Sequence, residues 1–317
     1  MIGRRDRLDA AAMALMVLLC ACWGLNQVAI KLADDGISPV FQAGLRSTGA
    51  VVLVWAWSAA RGVRLFARDG TLGYGLLVGA LFAGEFVLLY WGLVFTTASR
   101  GAVFLYMAPF IVAVGAHLLI PGERLRRVQA IGLLCAFAGT AAAFSDALRL
   151  PTYRQLLGDS MTLGAALLWG ATTLLLRTSP LARVSPHKAL FYQLGVSAVL
   201  LLGISRALGE PGFLAADPLV LGALAYQIVV VAFATYLAWF WLISRYPAVG
   251  LSAFSFLTPL FGLLAGATLL GEPITPTLAA AMLLVGLGIQ LVNRPSPARR
   301  IAVPETGPAR QGGEQTG

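Results

Sequence analysis

The sequence contains little charge. Only 12% of its 317 residues are Asp, Glu, Lys or Arg, whereas 58% are hydrophobic and the mean hydropathy is +0.81. Soluble globular domains carry roughly 25% charged residues. The composition therefore excludes an ordinary water-soluble domain and indicates a chain embedded in lipid, whose organisation is counted in spans of about 20 apolar residues.

Histidine and cysteine are also scarce, with two and three copies. Cys20, Cys22 and Cys135 lie inside apolar segments without a histidine or acid at metal-ligand spacing, so we expect neither a disulfide framework nor a metal site. The P-loop pattern GxxxxGK[ST] and the HExxH cluster do not occur. The sequence therefore predicts no cofactor, no catalytic residue and no intrinsic ATP-driven pumping.

Apolar runs bounded by charge, Pro or Gly predict an all-α membrane protein with ten transmembrane helices. Lipid offers no hydrogen-bond partner to the backbone, so each lipid-exposed run satisfies its own as a helix. The predicted spans are residues 10–33, 40–60, 72–95, 99–120, 128–146, 156–176, 188–205, 218–243, 248–270 and 276–293.

The distribution of Lys and Arg predicts the orientation of these spans. The terminal segments and the even-numbered loops contain 17 of the 23 basic residues. Short cytoplasmic loops retain positive charge, so both termini should be cytoplasmic in a bacterial inner membrane. The basic residues form no continuous stripe, so the net charge of +9 predicts no nucleic-acid partner. The segment 294–317, rich in Pro, Gly and charge, is predicted to be a disordered cytoplasmic tail.

The two halves of the chain repeat each other at an offset near 150. The stretch "LYMAPFIVAVGAHLLIPGERL" corresponds to "SFLTPLFGLLAGATLLGEPIT", and Trp23 and Pro109 correspond to Trp169 and Pro259. This divides the chain into a first five-helix repeat, residues 1–150, and a second, residues 151–293. An odd number of helices per repeat inverts the second copy in the bilayer, which is the plan of many secondary transporters.

Polar side chains recur inside the first helix of each repeat. Trp23, Asn26 and Gln27 are spaced to share one helix face, and Trp169, Thr172 and Thr173 occupy the matching positions of the sixth helix. One interpretation is that both faces line a substrate cavity between the halves. The other is interhelical hydrogen bonding, worth roughly 0.6–2 kcal/mol per group.

Glu85 is the one acid near the centre of a predicted span. An ionised group there costs about 2.5–3.5 kcal/mol to insert, so it must be protonated, paired or wetted by a cavity. It could couple protons, bind a substrate ammonium group or form a structural pair with Arg46 of the preceding helix.

Aromatic residues and prolines complete the candidate site. Trp91, Tyr106 and Trp239 belong to helices with a high aromatic content and could stack on a ligand or pack in the core. Pro109 and Pro259 should kink their helices and could act as hinges or gates, or produce static bends.

The two-half plan resembles the EamA-type branch of the drug/metabolite transporter superfamily. The residues that carry this resemblance are "WG" in the first helix of each half, a Pro inside the fourth helix and "GE" before the fifth, across residues 10–293. Within that branch the chain is similar to the YddG-type aromatic amino-acid exporters. The resemblance implies a central cavity and export of amino acids or related metabolites.

The sequence thus predicts a monomeric secondary transporter that exports a small organic solute by alternating access. The partners expected are a small-molecule substrate, the lipid bilayer and, if transport is coupled, protons. An intramembrane enzyme, a lipid flippase of the same architecture and a receptor without transport are the alternatives. An enzyme would need a nucleophile with its base, or a metal cluster, at midplane depth, and a receptor would usually bring a soluble domain.

Overall fold

The computed structural model describes residue 5 and residues 7–145, 150–215, 217–270 and 276–294. The predicted tail beyond residue 294 lies outside these residues. The described residues contain no β-strand and form helices α1 (Ala10–Asp34), α2 (Pro39–Ala60), α3 (Leu72–Phe95), α4 (Ala98–Leu105), α5 (Ala108–Leu119), α6 (Arg127–Ala143), α7 (Tyr153–Thr178), α8 (Pro186–Ala207), α9 (Pro218–Tyr226), α10 (Tyr236–Arg245), α11 (Ala248–Phe254), α12 (Leu257–Leu270) and α13 (Pro276–Val292).

The helices follow the predicted apolar runs, with ends that differ by at most three residues. Among the described residues, seven helical segments are long and apolar enough to cross a membrane. The apolar helices α6 and α13 have 17 residues each, and α2 has 22 residues that include Gln42, Arg46 and Ser47. The described chain is therefore a helical protein with several membrane-spanning segments.

Two predicted spans are interrupted rather than merely kinked. The fourth span breaks between α4 and α5, and the ninth breaks between α11 and α12. Pro109 is the second residue of α5 and Pro259 the third residue of α12. Proline lacks a backbone N–H and fits the first turn of a helix, where that N–H has no acceptor within the helix. Each proline therefore begins a new helix instead of bending an existing one.

The eighth span is continuous but irregular. A π-helical segment, Gln227–Thr235, connects α9 to α10. Within it, the Thr235 hydroxyl donates a 2.6 Å hydrogen bond to the carbonyl of Val231. Such wide turns are frequent at functional sites, and this one lies beside the cavity described below.

Glycines permit close approach of paired helices. A Cβ at Gly132 of α6 would lie 2.7 Å from the Gly288 carbonyl oxygen of α13, and one at Gly139 would lie 2.9 Å from the Ala281 carbonyl oxygen. Along α6 the residue numbers rise from 132 to 139, whereas those of the contacting residues in α13 fall from 288 to 281. The two helices therefore run antiparallel. Small residues serve this purpose in lipid, where close van der Waals packing holds helices together.

Two buried ion pairs involve α7. Arg100, before the middle of α4, contacts Asp159 with a 2.5 Å hydrogen bond, and Thr96 donates a 2.6 Å hydrogen bond to the same carboxylate. Arg177 pairs with Glu123, which also accepts a 3.0 Å hydrogen bond from the backbone N–H of Ala248. Asp159 and Arg177 are 18 positions apart, or about 27 Å along the helix. The pairs therefore connect α7 to its neighbours near opposite ends.

Candidate functional site

A cavity lies among α1, α3, α7 and the segment formed by the π-helix and α10. Its volume is about 200 Å³. One water needs at least ~15 Å³ of comparable space, so the cavity has room for a small organic molecule. Side chains from α2, α8, the end of α4, the break that follows α4 and the first turn of α12 complete its wall.

Nine of the ten residues predicted to bind substrate line this cavity. They come from four separate spans and from the end of α4: Trp23, Asn26, Gln27, Glu85, Tyr106, Trp169, Thr172, Thr173 and Trp239. Trp91 does not line it, and its side chain is 40% exposed. Tyr90 takes the cavity-facing position of that turn, and the next residue of a helix points about 100° away.

Aromatic rings form one wall of the cavity. The Trp23 ring packs edge-on against Trp239 at 5.8 Å and against Tyr236 at 6.4 Å between centroids. The Trp23 indole N–H donates a 2.8 Å hydrogen bond to the Thr235 hydroxyl. Such T-shaped contacts are a favoured arrangement of aromatic pairs. The hydrogen bond and the packing together hold Trp23 in a defined orientation within the wall.

The matching tryptophan of the second half has a different partner. Trp169 packs edge-on against Tyr106 at 6.0 Å between ring centroids. Tyr106 immediately follows α4, at the break before α5. Thr258 lines the cavity from the first turn of α12, just after the other break. Pro109 and Pro259 do not line the cavity themselves, but both helix interruptions place a neighbouring side chain in its wall.

The cavity wall contains polar atoms without partners. The side-chain oxygens of Asn26, Thr172 and Gln193 are buried and accept or donate no hydrogen bond among the described residues. A buried polar group left without a partner costs about 1–3 kcal/mol. The wall is otherwise apolar and aromatic, with a few convergent polar groups, which is the usual composition of a small-molecule site.

Opposite charges lie in the same wall. Glu85 and Arg46 both line the cavity, with 9% and 1% of their surfaces exposed. The ion pairs among the described residues do not include either side chain. The Arg46 guanidinium instead lies over the Phe86 ring, 4.2 Å from its centroid.

The sequence analysis did not assign several cavity residues to the site. Arg46 was considered only as a partner for Glu85, and Gln193, Tyr90 and Phe86 were not identified as lining residues. Tyr236 was not assigned to the site either. A signal existed for Arg46, because a basic residue inside an apolar span is costly and faces a protein interior or a cavity. The other four resemble ordinary packing residues until the helices are placed together.

Apolar helices of membrane-spanning length around a partly polar cavity indicate an integral multi-pass membrane protein with an internal cavity. Comparison with known proteins identifies the family. The chain belongs to the EamA-like transporter family, whose model matches residues 10–145 and again residues 156–294. The protein is therefore a membrane transporter, and its family indicates transport rather than enzymatic chemistry.

Similar proteins extend over nearly the whole chain. The uncharacterized transporter YvbV of Bacillus subtilis is 28% identical and aligns with 91% of this chain and 93% of its own length. A probable amino-acid metabolite efflux pump of Salmonella typhimurium is 28% identical over 87% of this chain and 93% of its own. A solved crystal structure is similar with a TM-score of 0.78 and 20% identity, covering 90% of this chain and 99% of that one, which supports the fold alone.

Proposed function

We propose that this protein is a secondary carrier that exports amino acids or related metabolites, aromatic ones included, across a bacterial inner membrane. The observation that carries the proposal is the shared cavity, whose wall combines matching positions of the two halves, Trp23 with Trp169 and Asn26 with Thr172. The names of the efflux-pump relatives support export and the substrate class. The aromatic wall supports substrates with an aromatic group.

The proposed architecture is ten transmembrane helices in two inverted repeats, residues 1–150 and 151–293, with both termini cytoplasmic. The family model matches each half once. In the alignment of the two halves, Gly24 corresponds to Gly170 with an offset of 146 positions, and Ile111 corresponds to Phe261 with an offset of 150. A Cβ at Gly24 would meet Phe261 of α12, and a Cβ at Gly170 would meet Ile111 of α5. Each contact is thus the counterpart of the other.

The pair α6 and α13 supports the same relation. In the alignment of the two halves, with an offset of 149 positions, Gly132 corresponds to Ala281 and Gly139 corresponds to Gly288. If the halves are related by symmetry, the contact of Gly132 with Gly288 therefore implies a contact of Ala281 with Gly139. Both contacts are present. Reciprocal contacts between antiparallel helices are expected when a two-fold axis in the membrane plane relates them. Two halves of this kind can exchange conformations of similar energy, one open to each side of the membrane.

The helix breaks before Pro109 and Pro259 are the proposed hinges. At each break a cavity residue, Tyr106 or Thr258, lies within three positions of the proline. Backbone already freed from helical hydrogen bonds bends at lower cost than a continuous helix. Movement of α5 or α12 would therefore change the cavity wall directly.

Counterflow in proteoliposomes tests the carrier function. Vesicles preloaded with one unlabelled amino acid should accumulate that amino acid in labelled form, with aromatic amino acids among the substrates, and a panel of amino acids and amines defines the range. The controls are proteoliposomes without preloaded amino acid and protein-free vesicles treated with the detergent alone. Failure of every solute in the panel to exchange would contradict the proposed function.

Glu85 is the proposed site of proton coupling or of substrate ammonium binding. Glu85→Gln keeps the size of the side chain but removes its charge. We expect it to lower exchange or to abolish the dependence of exchange on pH, while the protein still inserts into the membrane. Exchange rates equal to those of the wild type at every pH would exclude both roles for Glu85.

A further inference from the structure

We propose that Arg46 is the binding site for a carboxylate group of the transported solute. Arg46 lies in the first half of α2, is 1% exposed and lines the cavity. This inference rests on the proposed carrier function and adds the residue that recognises the carboxylate of its substrate. The sequence suggested Arg46 only as a structural partner of Glu85, and the names of the relatives assign it no role.

Arg46 forms no salt bridge with the acids of the described residues, although Glu85 lines the same cavity. The four ion pairs of the described chain join other residues, and Asp69, Glu123 and Asp159 each already contact a different cation. A buried cation without a partner is strongly unfavourable, and such charges are normally paired. Arg46 therefore places a buried cation in the cavity wall that contacts none of the acids within ion-pair distance, and a bound carboxylate would compensate its charge.

The unpaired donors of Arg46 agree with this role. The Phe86 ring covers one face of the guanidinium at 4.2 Å. This contact involves the face of the planar group, whereas its N–H bonds lie in the plane. Nε and Nη2, which lie on one edge, are buried and have no hydrogen-bond partner among the described residues, so a ligand would reach them after a small rotation of the side chain. Two parallel donors on one edge match the two oxygens of a carboxylate.

Glu85 narrows the class further. It lines the same cavity as Arg46 and directly precedes Phe86 in α3. An anionic ligand without a positive group would meet repulsion from an ionised Glu85. A zwitterion can place its carboxylate at Arg46 and its ammonium group at Glu85, which leaves its side chain for the wall formed by Trp23 and Trp239. These contacts fit an α-amino acid.

Binding of three related compounds to the purified protein tests the carboxylate site. L-phenylalanine carries both charges, L-phenylalaninamide replaces the carboxylate by a neutral amide, and phenethylamine lacks it. We expect L-phenylalanine to raise the melting temperature of the wild type and to compete in counterflow, with the other two at least 10-fold weaker. Equal competition by all three compounds would overturn the assignment, whether or not any variant folds.

Substitution of Arg46 provides the second measurement. Hydrogen bonds to charged groups contribute enough for Arg46→Gln to weaken L-phenylalanine binding by roughly 10- to 100-fold. Arg46→Lys should restore part of the binding, because it keeps the charge but not the paired donors. The matched control is Arg61→Gln, which also removes a guanidinium stacked on a ring, here Trp57 at 4.5 Å, but at an exposed site outside the cavity.

The outcomes separate this proposal from the carrier function. If only amines and neutral solutes showed counterflow, and Arg46→Gln did not change it, the carboxylate site would be overturned while the carrier function would stand. Absence of all counterflow, together with stabilisation by L-phenylalanine that requires Arg46, would support the site and contradict the carrier. Normal L-phenylalanine affinity in a folded Arg46→Gln protein would overturn the site.

Discussion

Gly24 provides the sharpest test of how the wall of the cavity is assembled. A Cβ at this position would lie 2.5 Å from the Phe261 Cβ, 2.7 Å from the Gly262 backbone nitrogen and 2.8 Å from the Phe261 carbonyl carbon. Two of these atoms belong to the backbone of α12, so relief requires the helices to separate. Gly24→Ala should therefore destabilise the protein and displace the adjacent Trp23.

The corresponding position of the second half should respond differently. A Cβ at Gly170 would meet the Ile111 side chain at 2.5 Å, whereas the nearest backbone atom, the Ala108 oxygen, is 3.8 Å away. A side chain can rotate, so the strain is smaller. Gly203 of α8 has no atom within 4 Å of the added carbon and is the matched control for the effect of alanine on helix stability.

The expected magnitudes follow from two opposing effects. Overpacking costs about 1–3 kcal/mol, and alanine gains about 1 kcal/mol over glycine in a helix. We assign the upper overpacking cost to Gly24 and the lower one to Gly170. After the gain in helix propensity is subtracted, Gly24→Ala should lower the free energy of unfolding by about 2 kcal/mol, and Gly170→Ala should leave it nearly unchanged. Gly203→Ala should gain up to about 1 kcal/mol.

Thermal unfolding in detergent, followed by tryptophan fluorescence and circular dichroism, measures these differences. The melting temperatures should rank Gly203→Ala above wild type and Gly170→Ala, with Gly24→Ala lowest. If Gly24→Ala melted at or above the wild-type temperature, or if Gly24→Ala and Gly170→Ala were lowered equally, the close approach of α1 to the α12 backbone would be wrong.

Two further predictions concern ion pairs. Hydrogen bonds from buried Lys188, and then from Thr71, lower the pKa of Asp69 from 3.8 to about 2. The ion pair of Asp69 with Lys188 therefore stabilises the fold above pH 3.8, and this stabilisation is lost as the pH falls toward 2. Asp69→Asn should thus lower the melting temperature at neutral pH, and a difference from wild type that persisted unchanged at pH 2 would refute this linkage. Asp159→Asn removes the buried partner of Arg100 and should cost about 3–5 kcal/mol in denaturant unfolding, whereas a loss below 1 kcal/mol would show that the pair does not matter for stability.

Much of the secondary structure could be predicted because lipid permits few alternatives. Apolar runs had to form helices, and the predicted ends at Leu72 and Phe95 agree with those of α3. The prolines were less informative. Pro109 and Pro259 indicated an irregularity, but a complete break with a new helix depends on whether neighbouring helices support the freed backbone. That support is a tertiary property.

The polar faces of α1 and α7 were predictable from helical spacing, and both lie in one cavity. Trp91 was predicted to bind substrate, but its neighbour Tyr90 occupies the cavity-facing position of that helix turn. Arg46 was visible as an isolated charge, yet a pair with Glu85 and a site open to a ligand are equally consistent with the sequence. The choice between them depends on the distances between side chains of α2 and α3.

The amino-acid order alone determined that the chain is a helical membrane protein with two similar halves, because burial in lipid and repetition along the chain are local properties. The tertiary structure decided which helix faces meet, where the broken helices leave side chains in the cavity, and that the Arg46 guanidinium contacts a ring rather than a carboxylate. These features depend on the rotation and crossing of helices distant in sequence, and close packing at glycines such as Gly24 and Gly132 sets that geometry.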